Sequence, residues 1–342
     1  MTEWLERYSR QMILPGWGAE GQERLAGRTA VVVGCGALGS HIADHLARAG
    51  VGRLVLADRD FVEWHNLPRQ ALYDEDDAAA GVPKAVAAAR RLRRINSQVR
   101  IEEHVMDVNP DTVEDLIRGA DVVLDGADNF EVRYLLNEAC VKQGIPWVYG
   151  GVLGTYGLTA SILPGETPCL RCLLGPMPPP ASVPTCETAG VLGPMVAVIA
   201  ALEVTEALKI LIGRREDLLR SLLMIDVWTG DFERAQTQRP AEGCPVCGEG
   251  RYELLEAEGG SVATMLCGRN AVQIRPRPAP VLDLKELAER LAGVGGVEVN
   301  EYLLRLATEG KELTIFGDGR AIVKGVDDEA QARALYARYI GS

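Results

Sequence analysis

The sequence has few aromatic residues, 5% of its 342 positions, and no excess of basic charge. Base-stacking platforms need aromatic faces, and binding to a phosphate backbone needs clustered Lys and Arg. With 36 basic residues against 48 acidic ones and a formal net charge of −12, neither a nucleic acid nor an anionic membrane surface is expected as partner. The apolar stretch Thr188–Leu202 stops at Glu203, short of the ~18–20 residues a membrane span requires. The start, MTEWLERYSRQ, lacks the apolar segment of a secretory leader, so a cytoplasmic location is expected. In that reducing compartment the eight cysteines read as metal ligands or catalytic thiols rather than disulfides. The four histidines, His41, His45, His65 and His104, have no ligand spacing with them.

What is present is ample apolar material, 47% of the chain, and a length that suits about two domains. Thr29–Val33 (TAVVV) is a β-branched run. GCGALGS follows, then the periodic stretch HIADHLARAG, then a second apolar run at Arg53–Asp58. Strand, glycine turn, helix and strand make a βαβ unit. The alternation continues with a helix at Pro83–Asn96, a strand at Val99–Val105 and a helix at Asp111–Arg118. A strand at Asp121–Asp125, a helix at Arg133–Gln143 and the strand PWVYGGV complete it. This grammar predicts an α/β fold, a Rossmann-like doubly wound and mostly parallel sheet.

After Gly151 the pattern changes. Pro164–Pro184 is proline-rich and reads as irregular. Gly193–Ile212 reads as a long buried helix with Gly213 as its C-cap, and Leu222–Trp228 as a strand. The tail reads as a small α+β module. It has one strand in Thr264–Ile274, a helix at Asp283–Ala292 capped by Asp283, and strands at Tyr302–Ala307 and Glu312–Phe316. An Asp-Gly hairpin and a closing helix at Asp327–Tyr339 follow. The expected division is 1–250 and 251–342.

Gly34, Gly36 and Gly39 form GxGxxG between a strand and a helix, where tight glycine turns and helix N–H groups suit a phosphate. Asp58 ends the next strand, where its carboxylate can accept ribose hydroxyls. The motif does not separate NAD from ATP, and a glycine turn without ligand is its plain alternative. Asp60, Asn66, Arg69, Lys84, Asp128, Asn129 and Arg133 fall at the expected carboxyl edge of the sheet, where ligands of open α/β sheets bind. Arg69 and Lys84 can neutralise a triphosphate with Asp128 on Mg²⁺, or be ordinary surface charges.

Cys169 and Cys172 form one CxxC, and Cys244 and Cys247 form another, in CPVCG. Two such knuckles make a Cys₄ tetrahedron suited to structural Zn²⁺, here stapling segments 72 residues apart; a redox dithiol or unligated thiols are the alternatives. Cys35, Cys140 and Cys267 read as packing residues. Cys186, in PTCETAG before a helix, is a candidate nucleophile.

Together these residues resemble the ThiF/MoeB family of ubiquitin-activating-type adenylyltransferases. The matching segments are RYSRQ (Arg7–Gln11), GCGALGS (Gly34–Ser40), NLPRQ (Asn66–Gln70), Pro83–Lys84, DGADNFEVR (Asp125–Arg133), CLRC, TCETAG and CPVCG. The tail looks like the extension of some ThiF proteins. The resemblance implies Mg²⁺-ATP-dependent adenylation of the C-terminal Gly-Gly carboxylate of a ubiquitin-like sulfur-carrier protein, followed by thiocarboxylate formation. ThiS-type carriers of thiamine thiazole synthesis are favoured by the tail; MoaD-type carriers or dual use are the alternatives. It further implies that Asp58 holds the ribose and that Gly36 and Ala37 hold phosphate. Asn66, Arg69 and Lys84 would bind the triphosphate, and Asp128 the Mg²⁺. Arg10 would reach across a homodimer, and Cys186 would take part in sulfur transfer. No rhodanese-like segment is present, so a separate sulfur donor of cysteine desulfurase or rhodanese type is expected. Pro68 stands where the family has glutamine. Outside the resemblance, an NAD-dependent dehydrogenase and a zinc-stapled binding module for a ubiquitin-like partner are competing readings; within it, a family relative acting on tRNA is a further one that the −12 charge disfavours.

Overall fold

The computed structural model describes every residue except 1–2, 180–183, 185, 238–239, 257–262, 267–270, 277–279, 327 and 342. The chain forms two compact units. The first comprises Met1–Pro179 and Ala189–Ala257, and the second Pro180–Thr188 and Glu258–Ser342.

The first unit opens with three helices the sequence did not announce, α1 (Glu3–Glu6), α2 (Ser9–Met12) and α3 (Gly18–Ala26). Then come β1 (Thr29–Val33), α4 (Ala37–Ala49), β2 (Arg53–Asp58), α5 (Glu75–Ala80), α6 (Lys84–Ile95), β3 (Arg100–Val105), α7 (Val113–Ile117), β4 (Val122–Asp125), α8 (Phe130–Gln143) and β5 (Trp147–Leu153). The expected strand–helix alternation is present. Helix α8 starts before Arg133 because the Asn129 side chain accepts the Val132 N–H at 2.9 Å and caps it. It ends at Gly144, in the left-handed conformation that glycine adopts without strain.

The chain continues through β6 (Tyr156–Ile162) and α9 (Leu170–Leu174), passes α10 (Cys186–Ala189), whose first three residues belong to the second unit, and goes on in α11 (Gly193–Ile212), β7 (Ser221–Asp226) and β8 (Asp231–Gln236). Helix α9 corrects the expectation that Pro164–Pro184 is irregular throughout. Between Pro168 and Gly175 no proline interrupts the chain, and Leu170 is fully buried. Gly213 caps α11 as expected.

The sheet has eight strands in the order β3-β2-β1-β4-β5-β6-β7-β8. The pairs from β3 to β5 are parallel, and those from β5 to β8 antiparallel. Alternate side chains divide between two cores. Ala30, Val32, Leu54 and Leu56 pack toward α4, α6 and α11, while Val31, Val33, Val55 and Ala57 pack toward α7 and α8. Each fully buried aliphatic side chain contributes about 1.5–3 kcal/mol. Both faces of the parallel half are thus covered, and its strands end in turns that carry the polar residues.

In the second unit the strand expected in Thr264–Ile274 is two antiparallel strands, β9 (Ala263–Leu266) and β10 (Ala271–Ile274). Helix α12 (Leu284–Leu291) follows, then β11 (Gly296–Val299), β12 (Leu303–Thr308), β13 (Lys311–Phe316), β14 (Ala321–Lys324) and α13 (Glu329–Tyr339). The six-stranded sheet has the order β11-β12-β13-β14-β10-β9 and its own core, in which Leu304, Leu313, Ile315 and Val323 meet Leu287, Leu291 and Leu335. Asp283 caps α12 through the N–H groups of Lys285 and Glu286, as its position suggested.

Candidate active site

The glycine turn joins β1 to α4. Gly34 has φ +88°, and a Cβ there would lie 2.4 Å from the Gly126 carbonyl oxygen. A Cβ on Gly39 would lie 1.8 Å from the Gly34 oxygen. The first glycine supplies a backbone conformation, the last a close approach, and together they bring the turns after β1 and β4 into contact.

Asp58 ends β2 beside this turn and is buried. One carboxylate oxygen accepts the Cys35 N–H at 2.6 Å, and the other accepts the Asp60 N–H at 2.7 Å. A carboxylate has about four lone-pair sites, so each oxygen keeps capacity for one more donor. Burial raises the Asp58 pKa, the Lys84 ammonium opposes that, and Asp60 adds to it. Lys84 is at the first position of α6 and only 5% exposed, with its ammonium 3.3 Å from Asp60. The Tyr73 hydroxyl donates to the Cys35 carbonyl at 2.5 Å. Gln70 is buried, and its amide nitrogen lies 4.0 Å from where a Gly36 Cβ would stand.

The structure therefore brings together the glycine turn, Asp58, Asp60 and Lys84. It places other expected residues differently. The Asn66 side-chain oxygen accepts the Glu63 N–H in a reciprocal cap of the 3₁₀ turn Trp64–Asn66. Arg69 turns its guanidinium back to the His65 carbonyl at 2.5 Å. A main-chain N–H three residues on would serve that carbonyl in a 3₁₀ turn, but Pro68 has none. Asp128 is exposed and accepts from the Asn129 amide at 3.1 Å. Arg10 is exposed on α2. Cys186 begins α10 and its side chain lies outside the described residues, as does Cys267.

Below the Asp125–Arg133 turn is a buried ionic layer. Arg133 donates from Nε to Asp125 at 3.1 Å and from a terminal nitrogen to the Ala127 carbonyl at 2.8 Å. Burial raises the Asp125 pKa to about 6 against the pull of Arg133. Glu203, at mid-helix in α11, is fully buried against Gly150, and neither carboxyl oxygen has a hydrogen-bond partner among the described residues. Burial, then Asp125, pushes its pKa well above the ordinary range. Tyr73 and Glu203 were not singled out from the sequence, because nothing in their spacing marks them.

The four knuckle cysteines converge. Their sulfurs all lie within 4.8 Å of one another, with Cys169–Cys172 at 3.9 Å, Cys169–Cys244 at 3.7 Å and Cys172–Cys247 at 3.4 Å. A tetrahedron of Zn–S bonds of about 2.3 Å has edges of about 3.8 Å, so the donor set fits that ion. Burial raises the Cys169 thiol to about 11. For Cys244 burial acts the same way, but N–H groups in the knuckle bring it down to about 7.

Comparison with known proteins places this geometry. The ThiF family profile matches residues 8–246. The chain is 45% identical over 340 residues to a protein of Bacillus subtilis named sulfur carrier protein ThiS adenylyltransferase, covering 98% of this chain and 99% of that one. It is 43% identical over 263 residues to a sulfur carrier protein adenylyltransferase of Thermus thermophilus, covering 75% and 96%. A crystal structure of Escherichia coli MccB with ATP superposes with a TM-score of 0.63 at 27% identity, covering 71% and 74%. With its glycine turn, buried acid and first cysteine knuckle in the matched region, the chain belongs to the ThiF family.

Proposed function

We propose that the protein is an adenylyltransferase that activates the C-terminal Gly-Gly carboxylate of a ThiS-type sulfur carrier with Mg²⁺-ATP. One observation carries the reading: a buried lysine ammonium stands beside the glycine turn, within the electrostatic reach of Asp58 and Cys35. A hydride-transferring dinucleotide site has little use for a desolvated cation there. A polyphosphate has much, because such a cation stabilises the charge that develops on it. The Bacillus subtilis relative, which is named for a ThiS carrier, is similar through the second unit as well, over 98% of the chain. That favours a ThiS-type carrier over a MoaD-type one.

In this reading Asp58 accepts the ribose hydroxyls, and the Gly36 and Ala37 N–H groups at the start of α4 hold phosphate. Lys84 releases Asp60 to meet the triphosphate, joined by Arg69 on turning from His65, by Asn66 and by Arg10 of a second copy. The carrier carboxylate attacks the α-phosphorus. The bond between that phosphorus and the bridging oxygen to the β-phosphate breaks, and pyrophosphate leaves. A sulfur nucleophile from a separate donor then attacks the acyl carbon and AMP departs, with Cys186 as candidate relay. Asp128 would hold Mg²⁺, which would supply neutralisation of the departing pyrophosphate. The Cys₄ cluster would hold Zn²⁺ as a staple.

The test is carrier-dependent ATP–pyrophosphate exchange, with the carrier weighed by mass spectrometry for its adenylate. Exchange with a ThiS-type carrier, and its loss in Asp128→Ala, is expected. Absence of exchange with every Gly-Gly carrier would overturn the reading.

A further inference from the structure

We infer that Tyr73 is a positioning residue that aims the phosphate-binding N–H of the glycine turn. The inference rests on the adenylation reading and deepens it. Cys35 is fully buried, and its backbone is held on both sides. Its N–H donates to Asp58 at 2.6 Å, and its carbonyl accepts from the Tyr73 hydroxyl at 2.5 Å. That carbonyl shares a planar trans peptide with the Gly36 N–H, and the two bonds point in opposite directions. Drawing the carbonyl inward to Tyr73 therefore turns the Gly36 N–H outward, away from the protein side of the turn. Gly36 is the N-cap of α4 and has no side chain to steer it. Its backbone can rotate more freely than that of any other residue, so an external restraint has the most to remove here.

The segment delivering the hydroxyl is itself tied down. The Gln70 N–H donates to the Asn66 carbonyl at 3.1 Å, and the Ala71 N–H to the Ser40 hydroxyl at 3.1 Å, on the first turn of α4. One residue beyond Tyr73, Asp74 caps α5 through the Asp77 N–H. The tyrosine ring packs in the core shared by α4 and α6, and burial pushes its hydroxyl pKa well up, so it stays a donor across the working pH range. Tyr73 touches no nucleotide in this account. It acts through one peptide plane.

The variant is Tyr73→Phe, which removes one oxygen and keeps the ring. Binding of ATP, AMP and adenosine is measured by calorimetric titration in Mg²⁺ without carrier, beside the melting temperature of the free protein. Losing the aim of one N–H is expected to weaken ATP and AMP about fivefold, while adenosine, which has no phosphate, stays within about twofold of wild type. The ratio of ATP to adenosine affinity is read within one sample, so a partial loss of folded protein cancels. An equal loss for all three ligands would make Tyr73 merely structural and overturn the inference, as would an unchanged ratio. Wild-type protein that binds neither ATP nor AMP would instead overturn the adenylation reading.

Discussion

Glu203 and Asp125 illustrate how single residues beneath the site respond to pH. Both are fully buried, and the pKa of each is raised, chiefly by burial. A carboxyl held neutral by burial favours the folded state below the unfolded pKa of about 4.3. It loses that advantage as pH rises through its folded value, because the unfolded group ionises first. Glu203→Gln removes this loss without changing shape. Its melting temperature should exceed wild type by a margin that widens as pH rises from about 5 toward neutrality, as thermal melts in matched buffers would record. A margin that narrows over that range would contradict the assignment. Asp125→Ala is a different case, because it takes from the buried Arg133 its paired carboxylate. Removing one partner of a buried pair costs about 3–5 kcal/mol, which denaturant titration would detect. The placement of Asp58 and Lys84 was legible in the sequence, since a strand end and a helix start fix where they project. Glu203 was not. It lies inside an apolar helix pattern and gains its meaning from strand neighbours distant in sequence.

At the scale of elements, the Cys₄ cluster was legible because its ligand types and pairwise spacing are local. The knuckle residues after Ala241 make their own turns, with the Gly248 N–H donating to the Cys244 carbonyl at 2.9 Å. Metal analysis should give about one zinc per chain, and Cys244→Ser should lose the metal together with several degrees of melting temperature, about the scale of 1–2 kcal/mol or more. Parallel strands were also legible, as they are short β-branched runs buried on both faces. Strands β6, β8 and β11 were not. Strand β8 (DFERAQ) is exposed along its whole length and shows no alternation, and β11 is four residues long. Helix α5 hides in an acidic run, but its carboxylates sit in the first turn, where the helix dipole favours them.

For the whole molecule, the parallel half of the large sheet carries the glycine turn, Asp58 and Lys84, while the second unit has its own sheet and its own core. The expected division into 1–250 and 251–342 rested on a change in pattern, from strand–helix alternation to a small α+β module. The acidic excess acts on the molecule as a colloid. With a sequence pI of about 5.0, solubility should pass through a minimum near that pH, measurable by light scattering across a buffer series. The cysteine cluster has a consequence in time as well as space. Its two halves are separated by α10, α11, β7 and β8. During synthesis, Cys169 and Cys172 emerge long before Cys244 and Cys247 are translated. A complete four-sulfur cage therefore cannot exist on a nascent chain until that later stretch has cleared the ribosome. Capture of the proposed zinc would then be a late checkpoint of biogenesis rather than a seed for it.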